Sequence, residues 1–308
     1  MGKQAVYGIG EALMDIMFRD GQPVAAKPGG SVLNAFVSLG RLGMDVRFIS
    51  DFGNDRIGDM IEGFLKENGV STQWVSRFDG GRSALALAFL DEKSEASYSF
   101  YQDYPPGRLE KLPDSFGVYD VVVFGSIYAL SEPVREKMVP LLKLAASAGA
   151  IILYDPNFRP VHLEDPGKYK PMILENMALA DIVRGSDDDF RYIFGAANAE
   201  QSHEAVRGLC PVLVRTASRE GVSVHTENGT YAFPVRKLEP VSTIGAGDNF
   251  NAGMIHSIAA QKITKKSLSG LGKSGWERIV GSGISLASEV CLSYDNYISR
   301  EFARQFRD

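Results

Sequence analysis

Two segments of this 308-residue chain are apolar on consecutive positions: VVVF at 121–124 and AIILY at 150–154. A strand with one wet face alternates apolar and polar residues, so uninterrupted runs imply strands covered on both faces. A sheet sandwiched between helices provides that cover. Segments 32–42, 57–66 and 134–148 carry apolar residues at helical spacing and supply the helices. Strand-like runs fall at 5–9, 46–50, 120–124, 150–154, 181–184 and 211–215. The alternation predicts an α/β fold with a Rossmann-like, doubly wound, mostly parallel sheet. Ligands are then expected beyond the carboxyl ends of its strands.

Two stretches break the rhythm. Residues 17–26, with a turn at Asp20-Gly21, and 83–101 read as extended segments with no crossover helix. DEKSEAS at 91–97 reads as the turn of a long hairpin between LALAFL and YSFYQ. Together they predict a small β-sheet lid, formed by segments of about 12–28 and 83–105 inserted in a single domain spanning 1–308. Plain surface hairpins are the alternative. A later hairpin is expected around Asn228-Gly229, a strong turn dipeptide with no evident chemistry.

Composition narrows the function by exclusion. A formal net charge of −5 argues against nucleic acid or an anionic membrane as partner. No apolar run approaches the ~20 residues that span a bilayer, and MGKQAVYGIGEAL shows no cleavable signal pattern, so a cytoplasmic protein is expected. Cys210 and Cys291 lack metal-ligand spacing and read as buried free thiols. His162, His203, His225 and His256 form no metal pattern. SLSGLGKSG near Lys273 imitates a phosphate loop, but Ser267 stands where that motif needs glycine. GIGEAL fails as a dinucleotide fingerprint because Leu13 stands at its third glycine.

The chemistry gathers elsewhere. In STIGAGDNFNAG, Gly245, Ala246 and Gly247 precede a segment of helical spacing, with Asp248 in its first turn. Backbone N–H groups at a helix start lack internal partners, and the helix dipole adds roughly half a positive charge there. Glycines let an anion approach that end closely, although capping alone could also explain Asp248. Upstream, Asp15 follows the first strand, and PGGSVLNA sets Gly29 and Gly30 before a helix bearing Asn34. Acceptors, an amide and open backbone suit a polyhydroxylated ligand. A turn-forming Asp15, a buried Asn34 and a plain glycine turn are the structural alternatives. In DPNFRP, Asp155, Asn157 and Arg159 follow a strand, and Arg159 can fork onto phosphate or carboxylate oxygens or form a surface salt bridge.

These residues together resemble the ribokinase-like carbohydrate kinases, also called the pfkB family. The resemblance runs through GIGEALMD, PGGSVLNA, SLGRLG, DFGNDRIGD, DPNFRP and TIGAGDNF, thus over most of the chain; GEALMD and DPNFRP are most similar to fructokinases. It implies a Rossmann-like domain with a β-lid, and a kinase that uses ATP and Mg2+ on a small-molecule sugar. It makes Asp248 the general base and Gly245, Ala246 and Gly247 the anion hole. Asp15, Gly29, Gly30 and Asn34 would hold sugar hydroxyls, with Arg159 near phosphate or substrate. Thr216, Ser218 and Gly221 match the nucleotide-contacting segment, with Thr243, Gly245 and Gly247 adding nucleotide contacts. Ser186 and Asp189 match the segment that organises magnesium through water. A lid-to-lid homodimer also fits the resemblance.

Several positions depart from the family pattern. Ser242 replaces an aspartate that commonly helps hold a monovalent cation, which weakens the case for K+ activation. Ser218 replaces a glycine, Ser186 an asparagine and Asp189 a glutamate, while Val32 replaces a common proline. The leading expectation is a fructose-type sugar kinase. A 2-keto-3-deoxygluconate kinase, a nucleoside kinase and a catalytically weak sugar-binding or regulatory protein remain as alternatives.

Overall fold

The computed structural model describes residues 4–90, 96–160, 165–235 and 237–307. Its strands, in chain order, are β1 (Val6–Ile9), β2 (Leu13–Arg19), β3 (Gln22–Gly29), β4 (Val46–Gly53), β5 (Val70–Phe78), β6 (Arg82–Leu90) and β7 (Ala96–Asp103). They continue as β8 (Val121–Gly125), β9 (Ile151–Asp155), β10 (Ile182–Ser186), β11 (Val212–Ala217), β12 (Gly221–Thr226) and β13 (Gly229–Phe233).

Nine strands form one sheet in the order β13-β12-β11-β10-β9-β8-β1-β4-β5. Pairing is parallel from β5 to β11, and only the β11–β12 and β12–β13 pairs are antiparallel. The consecutive apolar runs are explained by the two faces. Val121, Val123, Ile151 and Leu153 enter one hydrophobic cluster, and Val122, Phe124, Ile152 and Tyr154 enter the other. The first cluster also holds Phe36, Phe250 and Trp276, brought by helices Ser31–Arg41, Ala246–Ala260 and Lys273–Cys291. The second holds Val134 and Met138 of helix Glu132–Ala148. After β1 the chain runs outward through β4 and β5, then returns to β8 on the other side, so the order reverses beside β1. A crevice opens at such a reversal.

The lid strands form a separate four-stranded sheet, β3-β2-β6-β7, with β2–β3 and β6–β7 antiparallel and β2–β6 parallel. Asp20 and Gly21 both take positive φ, 51° and 73°, as a tight hairpin turn requires. Most of the expected 91–97 turn lies outside the described residues. β5 was not expected: VSTQWVSRF is an edge strand of mixed burial and lacks the apolar run that marks a central strand. The two cysteines are free and half-buried, a little more open than their apolar neighbours suggested. His203 and His225, far apart in sequence, stack with ring centroids 4.7 Å apart. Among the described residues no helix is long and apolar enough to cross a membrane.

Candidate active site

Two helix starts meet side by side on the cleft wall. Gly30 precedes helix Ser31–Arg41 with φ 131°, and a Cβ there would lie 2.2 Å from the Glu11 carbonyl oxygen, so only glycine fits. Gly245 caps helix Ala246–Ala260 at φ 79°. Buried Asn249 fixes that end, donating from Nδ2 to the carbonyls of Gly245 and Asn296, each at 2.8 Å. The Ser38 hydroxyl donates to Asn249 Oδ1 and joins the two helices. This frame sets Asn34 against Asp248: Asn34 Nδ2 donates to Asp248 Oδ2 at 2.9 Å. Asn34 Oδ1 is buried and has no partner among the described residues.

Asp248 is half-buried on the cleft wall, and its pKa is pushed up from 3.8 to about 7. Burial is the main cause. The Asn34 hydrogen bond opposes it, the Asp155 charge adds to it, and Arg184 and Arg159 oppose it. A carboxyl so placed is a stronger base than a free aspartate once ionised. Asp15 is raised to about 6, by burial first, with Lys27 opposing and Glu11 reinforcing. Burial also raises Glu11, although Tyr104 Oη (2.9 Å) and Gln102 Nε2 (2.8 Å) donate to its carboxylate. A Cβ on Gly29 would fall 2.0 Å from Asp15 Oδ2, so this glycine makes room for the aspartate.

The carboxyl ends of β9, β10 and β11 close the other side. Asp155 Oδ2 accepts from Arg184 Nη1 (2.8 Å) and Asn251 Nδ2 (2.6 Å). Arg184 Nη2 donates to Thr216 Oγ1 at 2.7 Å. Ser186 and Asp189 form a reciprocal cap on helix Asp187–Phe194. Asp189 accepts from Ser186 N (2.7 Å), Ser186 Oγ (2.6 Å), Phe158 N (2.6 Å) and Arg159 Nη1 (3.3 Å). Four bonds occupy the acceptor sites of a carboxylate. Asp189 therefore orients Arg159 and the DPNFRP turn, with no lone pair left for direct metal ligation. Among the described residues no group of three His, Cys, Asp or Glu side chains could hold a metal ion.

The family model described as pfkB family carbohydrate kinase matches residues 6–293. This chain belongs to that family. It is a kinase that transfers a phosphoryl group to a sugar hydroxyl. A fructokinase from Rhizobium leguminosarum bv. trifolii is 30% identical over 272 residues, covering 85% of this chain and 82% of that protein. Two solved structures share the fold. The aminoimidazole riboside kinase of Salmonella enterica, complexed with aminoimidazole riboside and an ATP analogue, superposes with TM-score 0.83 at 21% identity, over 99% of this chain and 100% of that one. A double mutant of Vibrio cholerae fructokinase, with fructose, ADP and potassium ion bound, gives TM-score 0.83 at 21% identity over 99% and 98%.

The kinase gathers most of its expected site residues around one cleft of about 880 Å3. Asp15, Gly30 and Asn34 line one part; Thr243, Gly245, Gly247 and Asp248 another; Arg159, Ser186 and Asp189 a third. Gly29 and Ala246 are not on its wall. Ala246 donates its N–H to the Thr243 carbonyl at 3.2 Å, so the donors a helix start leaves open begin at Gly247. Thr216, Ser218 and Gly221 stand off the cleft at the end of β11, with Thr216 joined to it through Arg184. Ser218 holds φ 40°, a left-handed conformation that explains why glycine is usual there. Ser242 Oγ accepts from Ile244 N at 3.2 Å and brings no charge to its loop.

Sequence reasoning missed three features of the cleft. Gln102 and Tyr104 tie the lid to Glu11 at the end of β1, a carboxyl whose place in the ligand-facing loop the sequence does suggest, without these partners. Arg108, paired in bidentate fashion with Asp51 (Nη2–Oδ1 2.7 Å) and stacked 3.6 Å from the Tyr104 ring centroid, lines the cleft beside them. Arg184 is the third. Its only sequence signal is an arginine inside an otherwise apolar strand, IVRGS.

Proposed function

We propose that this kinase transfers the γ-phosphoryl group of ATP to a hydroxyl of a neutral sugar, fructose first among them. The Asn34 amide carries the reading. One end of it holds Asp248, and the other is a buried acceptor with no partner among the described residues, on a side chain that lines the cleft. A buried acceptor without a donor is costly, and a sugar hydroxyl would satisfy it. Asp248 then takes the proton of the attacking hydroxyl as the new O–P bond forms. The Gly247 N–H and its neighbours at the helix start bind the phosphoryl oxygens, aided by the dipole. Asp15 and the backbone at Gly29 and Gly30 orient the sugar, and Arg159, steered by Asp189, faces the phosphates. Thr216, Ser218, Gly221, Ser186 and Thr243 serve the nucleotide side.

The saturated Asp189 does not suit a protein-held Mg2+. The donor set fits an ion carried by the nucleotide phosphates within its own water shell. Three carboxyls, Glu11, Asp15 and Asp248, line the sugar end. The second cation that a sugar acid would require is Arg108, already committed to Asp51. A neutral sugar therefore fits better than 2-keto-3-deoxygluconate. A riboside is the second reading, favoured by Tyr98 and Phe100, which stack 6.0 Å apart and line the cleft from the lid. ADP release over a panel of ketoses, aldoses, sugar acids and ribosides tests both. Turnover on ketoses exceeding the others supports the first reading, ribosides on top the second, and sugar acids on top would refute the charge argument. Lid-to-lid pairing of two copies would cover Phe89, Phe100 and Tyr101, exposed on the lid; sedimentation that gives a monomer would refute it.

A further inference from the structure

Arg184 is nine-tenths buried on β10, where its charge balances that of buried Asp155. Ile182, two residues earlier, packs in the core cluster shared with Phe250, and the Arg184 guanidinium lies 5.4 Å from the Phe250 ring centroid. A guanidinium offers five N–H donors in a planar fork. One goes to Asp155 Oδ2 and one to Thr216 Oγ1, while Nε has no partner among the described residues. The fork is pressed against the catalytic helix start: a Cβ on Gly247 would fall 2.7 Å from Nη1. Gly247 is thus glycine because of Arg184 as well as any phosphate. The same guanidinium lines the cleft that holds Asp248.

We infer that Arg184 is a further catalytic residue, a fixed cation that donates to the phosphoryl group in flight between nucleotide and sugar. The inference rests on the phosphotransferase reading. As the bond from phosphorus to the ADP oxygen breaks and the sugar oxygen–phosphorus bond forms, Asp248 takes the hydroxyl proton and negative charge spreads over the three equatorial oxygens. Asp155 and Thr216 hold the fork in place beforehand, so no reorganisation is needed when that charge develops. Thr216 also links this cation to the segment proposed for the nucleotide.

The test compares Arg184→Met and Arg184→Lys with the parent enzyme, using ATP and the best sugar of the panel. Arg184→Met should lower kcat by about 10²–10³-fold, as for loss of one preorganised donor. Its affinities for sugar and for ADP should stay within about threefold, because those ground states lack the developing charge. Binding of ADP with aluminium fluoride, a mimic of the transferring group, should weaken alongside kcat. Arg184→Lys should recover part of the loss. Removing the cation strands Asp155, so Arg184→Met/Asp155→Asn serves if the single variant does not fold, and it should show the same split. A kcat within about fivefold of the parent in the folded Met variant, or equal losses in ground-state binding and turnover, would overturn the role. A parent enzyme silent on every sugar would instead overturn the phosphotransferase reading as well.

Discussion

Replacing Asn34 with leucine should move the acidic limb of the pH–rate profile upward. In the folded enzyme Asp248 sits at about 7, and it is the Asn34 Nδ2 bond at 2.9 Å that most opposes the effect of burial. Leucine is close in volume and cannot donate. A hydrogen bond to a charged acceptor contributes about 1.5–3 kcal/mol, and 1.36 kcal/mol corresponds to about one pH unit. The limb should therefore rise by about 1–2 units, nearer the lower figure because cleft water can partly replace the amide. The sign follows from the proposed role: as a base Asp248 must be ionised to accept the proton, so activity falls as pH drops through its pKa, and the variant loses activity at a higher pH. The assay is kcat/KM for the sugar at saturating ATP from about pH 5 to 10, which reports the essential base of the ATP-loaded enzyme before sugar binds. Ionisation of the nucleotide is common to both proteins and cancels in the comparison. The variant will also bind sugar less well, but that lowers the whole curve without moving its limb. An unmoved limb, or one shifted to lower pH, would refute the pairing of Asn34 with Asp248 as the proposed base.

Asp248→Asn should lower kcat by roughly 10²–10⁴-fold, the range for losing a general base. The same change should raise thermal stability above pH 7 and leave it unchanged near pH 4, measured by melting curves. The folded carboxyl, raised from 3.8 to about 7, binds more protons than the unfolded one between those values, so stability falls as pH rises through that window. Ser218→Gly should relieve the left-handed strain at φ 40° and stabilise the fold by about 1 kcal/mol, roughly 2 °C in Tm. A lower Tm would show that the serine side chain makes a contact worth more than the strain. Replacing potassium with sodium or choline in the kinase assay should leave turnover unchanged, because Ser242 is uncharged and its hydroxyl caps Ile244. A steep potassium dependence would place a cation site on other groups.

Much of this site is readable along the chain because its parts are local. Glycines before a helical segment, as at Gly30 and Gly245, mark open helix starts wherever they fold. The VVVF and AIILY runs announce buried parallel strands because each side chain must find cover on one face or the other. Asp189 stands out in the sequence as a candidate, but its bonding does not. The three bonds beyond Ser186 N come partly from the DPNFRP turn 30 residues away, and only there does it become the holder of Arg159.

By itself the sequence determined the layered α/β architecture and the lid hairpins, and it named the candidate site residues, since these depend on periodicity and on turn chemistry within a few residues. The tertiary structure alone decided the pairings around the groups proposed to react. Asn34 and Asp248 are 214 positions apart and meet through two helices docked by Ser38 and Asn249. Arg184 finds Asp155 29 positions away and Thr216 32 away because β9, β10 and β11 are neighbours in the sheet. Burial and charge act through space. Whether a carboxyl ionises near pH 4 or near 7 is therefore set by what the fold brings beside it.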